Sequence, residues 1–431
     1  MDTLDKQKLG FKSMVLLGIN SIIGTGIFLL PSIGMKLFGP ASILALLFDA
    51  FLAFLLALCF AECAGQFSET GGAYVYAKEA FGNFVGYEIG FITWAIRIIA
   101  ESTLYVGFAL ALSGVFPSLA TPTAKNIIVT IFALALMCLN IRGVKLTAIV
   151  NNIFTVSKLI PLFLVVVVGL FFIKAGNFHP FFVPQLTTTG SFATTCITLF
   201  LVFTGFEGVV VVAGEMKDAK KNLPKTLLMS FGIVALLYIA IVAVCIGVLG
   251  KDLTGTSVPL QAVFTKVAGS VGGDIIALGT ILSLLGVCVA SSFVTPRSGV
   301  ALAENKMMPA VLAKTNKYNA PYVSIIVSTL ITLVIAYSGT FETLAQISVV
   351  SRFAQYLPTC LAVLVFRRRN KNHSGFRVPF GSLIPVSAII VSLVLLSQAK
   401  MSNLVWGLGS LVIAVPFYFL TGSFKENKQQ K

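Results

Sequence analysis

Twelve apolar runs punctuate the chain, at about 11–38, 41–64, 83–113, 124–141, 147–174, 191–214, 225–250, 269–296, 322–338, 343–366, 378–398 and 402–422. A membrane-spanning helix takes about 20 such residues. In lipid every backbone N–H and C=O must be satisfied within the segment, so runs of this kind fold as helices. Only 11% of residues are charged, against roughly a quarter in soluble domains, and the mean hydropathy is +0.95. The expected fold class is an all-α membrane protein with twelve transmembrane helices.

The net charge of +15 could point to nucleic acid, but its distribution argues against that partner. Basic residues cluster in short loops between the runs, where cytoplasmic loops carry them. With the N-terminus inside, 22 Lys and Arg fall in inner segments and 6 in outer ones, and Arg97, Lys158 and Arg352 lie within runs. Both termini are therefore expected in the cytoplasm, as tails 1–10 and 423–431, with the chain multi-pass in the plasma membrane. Met1–Lys12 is polar and leads directly into a full-length run, which does not read as a cleavable signal peptide. All seven cysteines lie in apolar runs and read as small buried hydrophobes, not as a disulfide framework or a metal site. No cofactor is expected.

Two runs contain interruptions. In the first, Gly24-Thr25-Gly26 sets two poor helix formers at mid-span. In the sixth, Gly205 and Gly208 flank Glu207. A broken helix frees backbone polar groups, which lipid tolerates only around a buried polar cavity. A small-residue packing face is the alternative for either segment alone. The interruptions are five spans apart, so the second half is inverted relative to the first, and paired breaks of this kind point to a transporter's central site.

Several motifs then carry a resemblance. Gly24-Thr25-Gly26-Ile27-Phe28 with Pro31, Gly71-Gly72-Ala73-Tyr74-Val75-Tyr76 with Phe81-Gly82, Gly205-Phe206-Glu207 with Gly214-Glu215, and Arg297 through Met308-Pro309 together resemble the amino acid–polyamine–organocation superfamily. The resemblance covers nearly the whole chain. It implies a five-plus-five inverted repeat with broken helices 1 and 6: 11–175 as the first repeat, 191–366 as the second, and 378–422 as two added spans. It also implies alternating access and amino acids or related amines as substrates.

At the first break, free N–H groups at Thr25, Gly26 and Ile27 begin a half-helix whose positive end favours a substrate carboxylate. Across Gly24, the carbonyls of Ile22 and Ile23 offer themselves to an ammonium, together with those of Leu201, Phe203 and Thr204 in the sixth run. An aromatic pocket of Trp94, Phe200, Phe203 and Phe206 suits a neutral side chain, provided that Arg97 and Glu101, one helical turn apart, neutralise each other. Resemblance to arginine–agmatine antiporters matches Trp94 to a motif tryptophan and sets Arg97 and Glu101 where those antiporters have uncharged pocket residues, which argues against a dicationic substrate. Lys158 is a costly mid-span ammonium. By resemblance it takes the place of a sodium ion between helices one and eight, with Ser291 or Ser292 as partner. Glu207 is a proton carrier or a linker of its own break, whereas Glu62, Glu215 and Arg352 read as scaffold.

The function these readings support is sodium-independent amino acid transport by proton symport or exchange, with neutral or apolar L-amino acids as substrates, an amino acid/amine antiporter as the alternative, and the chain a monomer or homodimer. No histidine lies in any run, and HExxH and Walker A sequences are absent. These absences disfavour an enzyme or an ATP-driven pump. A membrane amino-acid sensor is the competing non-transport reading.

Overall fold

A computed structural model describes residues 10–67, 72–142, 159–211, 216, 218–305, 307–369 and 376–420. Among these residues the chain is helical, with no β-strand. The first run forms α1 (Phe11–Ile22) and α2 (Gly26–Phe38), separated at Ile23–Thr25. After α3 (Ser42–Ala64) come the short α4 (Ala73–Phe81), the long α5 (Asn83–Val115) and α6 (Pro122–Ile141). The fifth run is described from α7 (Leu159–Gly169) onward. The sixth divides into α8 (Thr189–Leu199), a 3-10 turn over Phe200–Phe203 and α9 (Glu207–Val211). Then follow α10 (Ala219–Leu249), α11 (Pro259–Glu304), α12 (Tyr322–Tyr337), α13 (Phe341–Arg369), α14 (Leu383–Ser397) and α15 (Met401–Leu420).

Local chemistry explains several boundaries. Thr121 caps α6, its hydroxyl accepting from the Ala124 N–H at 3.2 Å, with Pro122 at the first helical position where no N–H is needed. Thr188 caps α8 in the same way through the Ser191 N–H at 3.1 Å. The run expected at 269–296 extends further on both sides, because α11 continues through a kink at Gly269 back to Pro259.

Among the described residues seven helical stretches are long and apolar enough to cross a membrane, and five shorter apolar helices accompany them. Five of the twelve expected runs are interrupted, short or described only in part. Both interrupted runs yield pieces too short to cross alone, the fifth is described only from Leu159, and α12 and α14 have 16 and 15 residues.

The helices α3, α5 and α13 bury most of their side chains. Around them α5 packs on α11, α12 and α13, while α10 packs on α1 and α3. The outer helices carry large exposed apolar residues, including Ile127 and Ile131 on α6 and Trp406 and Val412 on α15. So much apolar surface is unsuited to water and suits a lipid surround.

Candidate functional site

The two breaks touch. Ser21, in the last turn of α1, donates its hydroxyl to the Gly205 carbonyl at 2.7 Å. Gly205 adopts φ +103°, a conformation that favours glycine. A β-carbon there would lie 2.3 Å from the Ser21 carbonyl oxygen, so the close approach itself requires glycine. Beside them Tyr238 of α10 donates to the Ile22 carbonyl at 3.3 Å.

Between the breaks lies a cavity of about 360 Å³, within the roughly 300–1,000 Å³ range of small-molecule sites. Its walls include Leu17 and Asn20 to Gly26, the stretch from Leu201 to Gly208 apart from its phenylalanines, Thr93, Arg97 and Thr103 of α5, Gly286, Ala290 and Ser291 of α11, and Arg352 and Gln355 of α13. Small side chains on α5 and α11 keep the space open, and the broken backbone supplies polar atoms. The first N–H groups of a helix have no partner within it, so the start of α2 at Gly26 and Ile27 offers donors at a partly positive helix end.

Glu207 holds the second break together. One carboxylate oxygen accepts from the Gly205 N–H at 2.9 Å and from the Tyr356 hydroxyl at 3.1 Å. The other pairs with the Arg352 guanidinium. Both side chains are largely buried, at 12% exposed for Arg352 and 13% for Glu207. Of the two roles read from the sequence, this arrangement matches the linker.

Several assignments need correction. Arg97 and Glu101 form no ion pair, although one helical turn separates them. Glu101 turns away from the cavity, receives the Tyr105 hydroxyl and has its second oxygen without a partner. Arg97 lines the cavity, within the electrostatic reach of Glu207 and Arg352. The expected aromatic pocket is also absent. Phe200, Phe203 and Phe206 are fully buried and packed away from the cavity, against Phe353, Phe231 and Tyr356 respectively, at centroid distances of 5.3, 5.8 and 5.4 Å. A phenyl ring gains more from that aromatic core than from a wet wall. Trp94 belongs to a separate core, its indole N–H donating to Ser328 at 3.3 Å. Ile27 is buried in the main core. Ser292 donates to the Val289 carbonyl and accepts from Asn140, so of the two serines only Ser291 reaches the cavity.

The Leu201 carbonyl already accepts from both the N–H and the hydroxyl of Thr204, which diminishes its availability to an ammonium. Lys158, Gly71, Gly214 and Glu215 lie outside the described residues. The cavity also includes residues that the sequence reading passes over, above all Arg352, which it assigns to the scaffold. An ionisable residue inside an apolar run was the available signal. Glu62 does brace the other end of α3, accepting from Arg367 at 2.6 Å and from the Val378 N–H at 2.7 Å.

The family model for amino acid permeases matches residues 9–422. An uncharacterized transporter of Mycobacterium tuberculosis is 29% identical, over 89% of this chain and 86% of its own. A branched-chain amino acid permease of Bacillus subtilis is 26% identical over 96% and 93%. A serine/threonine exchanger of the same organism is 27% identical over 96% of each chain.

Proposed function

The chain belongs to the amino acid permease family, and from that premise we propose that it is a sodium-independent secondary transporter of amino acids, working by alternating access as a proton symporter or an exchanger. One observation carries the proposal: two interrupted helices meet at a single cavity lined by the backbone of both breaks. The substrate carboxylate sits at the N-terminus of α2, against the Thr25 and Gly26 N–H groups that line the cavity, where a helix end favours an anion. The ammonium sits among the backbone carbonyls of Ile22, Ile23 and Thr204, which line the cavity. A zwitterion presents both charges at the spacing of its own backbone, which is why the site takes amino acids as a class. The names of the relatives, a permease and an exchanger, support transport and leave both coupling modes in play.

The architecture we infer is twelve spans in two inverted repeats, 11–175 and 191–366, with 378–422 added. Packing supports it: α1 rests on α10 as α8 rests on α3, which is the first span on the seventh and the sixth on the second. Leu17 on α1 is exposed, as is Ser21, whereas Gly26 to Pro31 on α2 are buried. The cavity is therefore accessible from the α1 side. The positive-inside distribution supports taking that side as the cytoplasm, and on that reading we propose that this conformation is the inward-facing one of the cycle. Lys158 is the residue we propose in place of a sodium ion, with Ser291 as its hydroxyl partner.

The neutral-substrate expectation rested on a closed Arg97–Glu101 pair and a phenylalanine-lined pocket, and the cavity has neither. The test of the general proposal is uptake of a labelled amino acid panel into proteoliposomes, with and without a pH gradient, sodium or internal amino acid. Accumulation of at least one amino acid in the absence of sodium is the expected result. No uptake of any panel member under any condition refutes it.

A further inference from the structure

The cavity has an uneven charge distribution. Among the described residues its walls carry three charged side chains, Arg97, Arg352 and Glu207. Arg352 and Glu207 pair with each other. Among the described residues Arg97 has no hydrogen-bond or ion-pair partner, and its Nε is buried without an acceptor. The carboxylate one turn along, Glu101, is directed to Tyr105 instead. Arg97 is partly exposed at the cavity wall, so a ligand that displaces cavity water makes its guanidinium costly unless it supplies an acceptor, and the planar donors match a carboxylate.

We propose that Arg97 binds a side-chain carboxylate of the substrate, making dicarboxylic amino acids of the glutamate and aspartate type the preferred class. The inference rests on the proposed amino acid site between the breaks. That site already provides one anion position at the start of α2 and a rim of carbonyls for the ammonium. Arg97 adds a second anion position in the same cavity. Two anion positions and one cation position complement a molecule with two carboxylates and one ammonium. Such a ligand carries one net negative charge and balances the unpaired guanidinium. A neutral amino acid leaves Arg97 desolvated and unpaired when it displaces cavity water, and a lysine- or arginine-like substrate is repelled.

The test is equilibrium binding to the purified full chain, comparing L-glutamate with L-glutamine and L-aspartate with L-asparagine, with L-leucine and L-serine included. Acid and amide differ by one charged group at nearly equal size. At least one acid is expected to bind about tenfold or more tightly than its amide, the scale of a charge-assisted hydrogen bond. That ratio is expected to fall to near one in Arg97→Gln and to persist in Arg97→Lys. Amide or leucine binding as tight as that of the acids in the wild-type protein overturns the inference without need of any variant. So does a ratio that survives in Arg97→Gln. If leucine or serine binds and neither acid does, only the substrate class fails. If no panel member binds, the amino acid site itself fails with it.

Discussion

The Ser21 hydroxyl donates to the Gly205 carbonyl at 2.7 Å, and a β-carbon on Gly205 would stand 2.3 Å from the Ser21 backbone oxygen. The two broken helices are thus in contact through backbone, and Gly205 is the residue that allows it. Gly205→Ala adds both a disfavoured φ and a backbone collision, each of the order of 1–3 kcal/mol. It is expected to lower the melting temperature of the detergent-purified protein and to abolish uptake. Gly24→Ala is the contrast, since no atom lies within 4 Å of the added carbon. Near-wild-type stability is expected there, measured in the same melting assay.

At the start of α2, a β-carbon on Gly26 would meet Val202 at 3.1 Å and Leu30 at 3.2 Å. Gly26→Leu is therefore expected to drive side chain into the cavity and abolish substrate binding. Thr25→Ser keeps the hydroxyl and is expected to retain it. Calorimetry on both variants checks the pair, and wild-type affinity in Gly26→Leu would move the carboxylate position away from this helix end.

Glu207 joins the Gly205 N–H, Tyr356 and Arg352. Glu207→Gln leaves the Arg352 charge without its partner in a largely buried setting, where losing one member of a pair costs about 3–5 kcal/mol. A marked loss of thermal stability and of transport is expected. Replacing both residues by glutamine removes both charges and is expected to recover part of the stability. A Glu207→Gln protein with unchanged melting but lost proton dependence would instead identify Glu207 as a carrier.

Glu62 provides a test of position. It makes comparably strong bonds to Arg367 and the Val378 N–H, but it lies outside the cavity wall. Glu62→Gln is expected to lower the melting temperature while the affinity of the folded protein for substrate stays unchanged. Altered affinity would mean that this brace communicates with the site.

Uptake is expected to continue at constant pH when sodium is replaced by choline, because Lys158 is the proposed fixed cation. A second positive charge a few ångströms away is strongly disfavoured in a low-dielectric interior. Lys158→Ala is expected to lose transport. If Lys158 carries the coupling proton, pH-driven accumulation is expected to fall more than exchange. A wild-type rate that collapses without sodium overturns the assignment.

The apolar runs by themselves determined that the chain is helical and membrane-embedded, because lipid admits few other ways to pair a backbone. The glycines at 24, 26, 205 and 208 marked the interruptions for a similarly local reason, poor helix propensity within a run of good formers. Side-chain direction was a different matter. Residues 200, 203 and 206 follow helical spacing, yet the 3-10 turn and the Gly205 conformation point all three rings into the aromatic core. Arg97 and Glu101 share a helix face by spacing, but Arg97 lines the cavity whereas Glu101 lies outside its wall and receives the Tyr105 hydroxyl. Arg352 lies 145 residues from Glu207, and only the docking of α13 on the second break brings them together. Local backbone tendencies are written residue by residue. The partner of a buried charge depends on which distant helix packs against it, and that is decided by the tertiary structure alone.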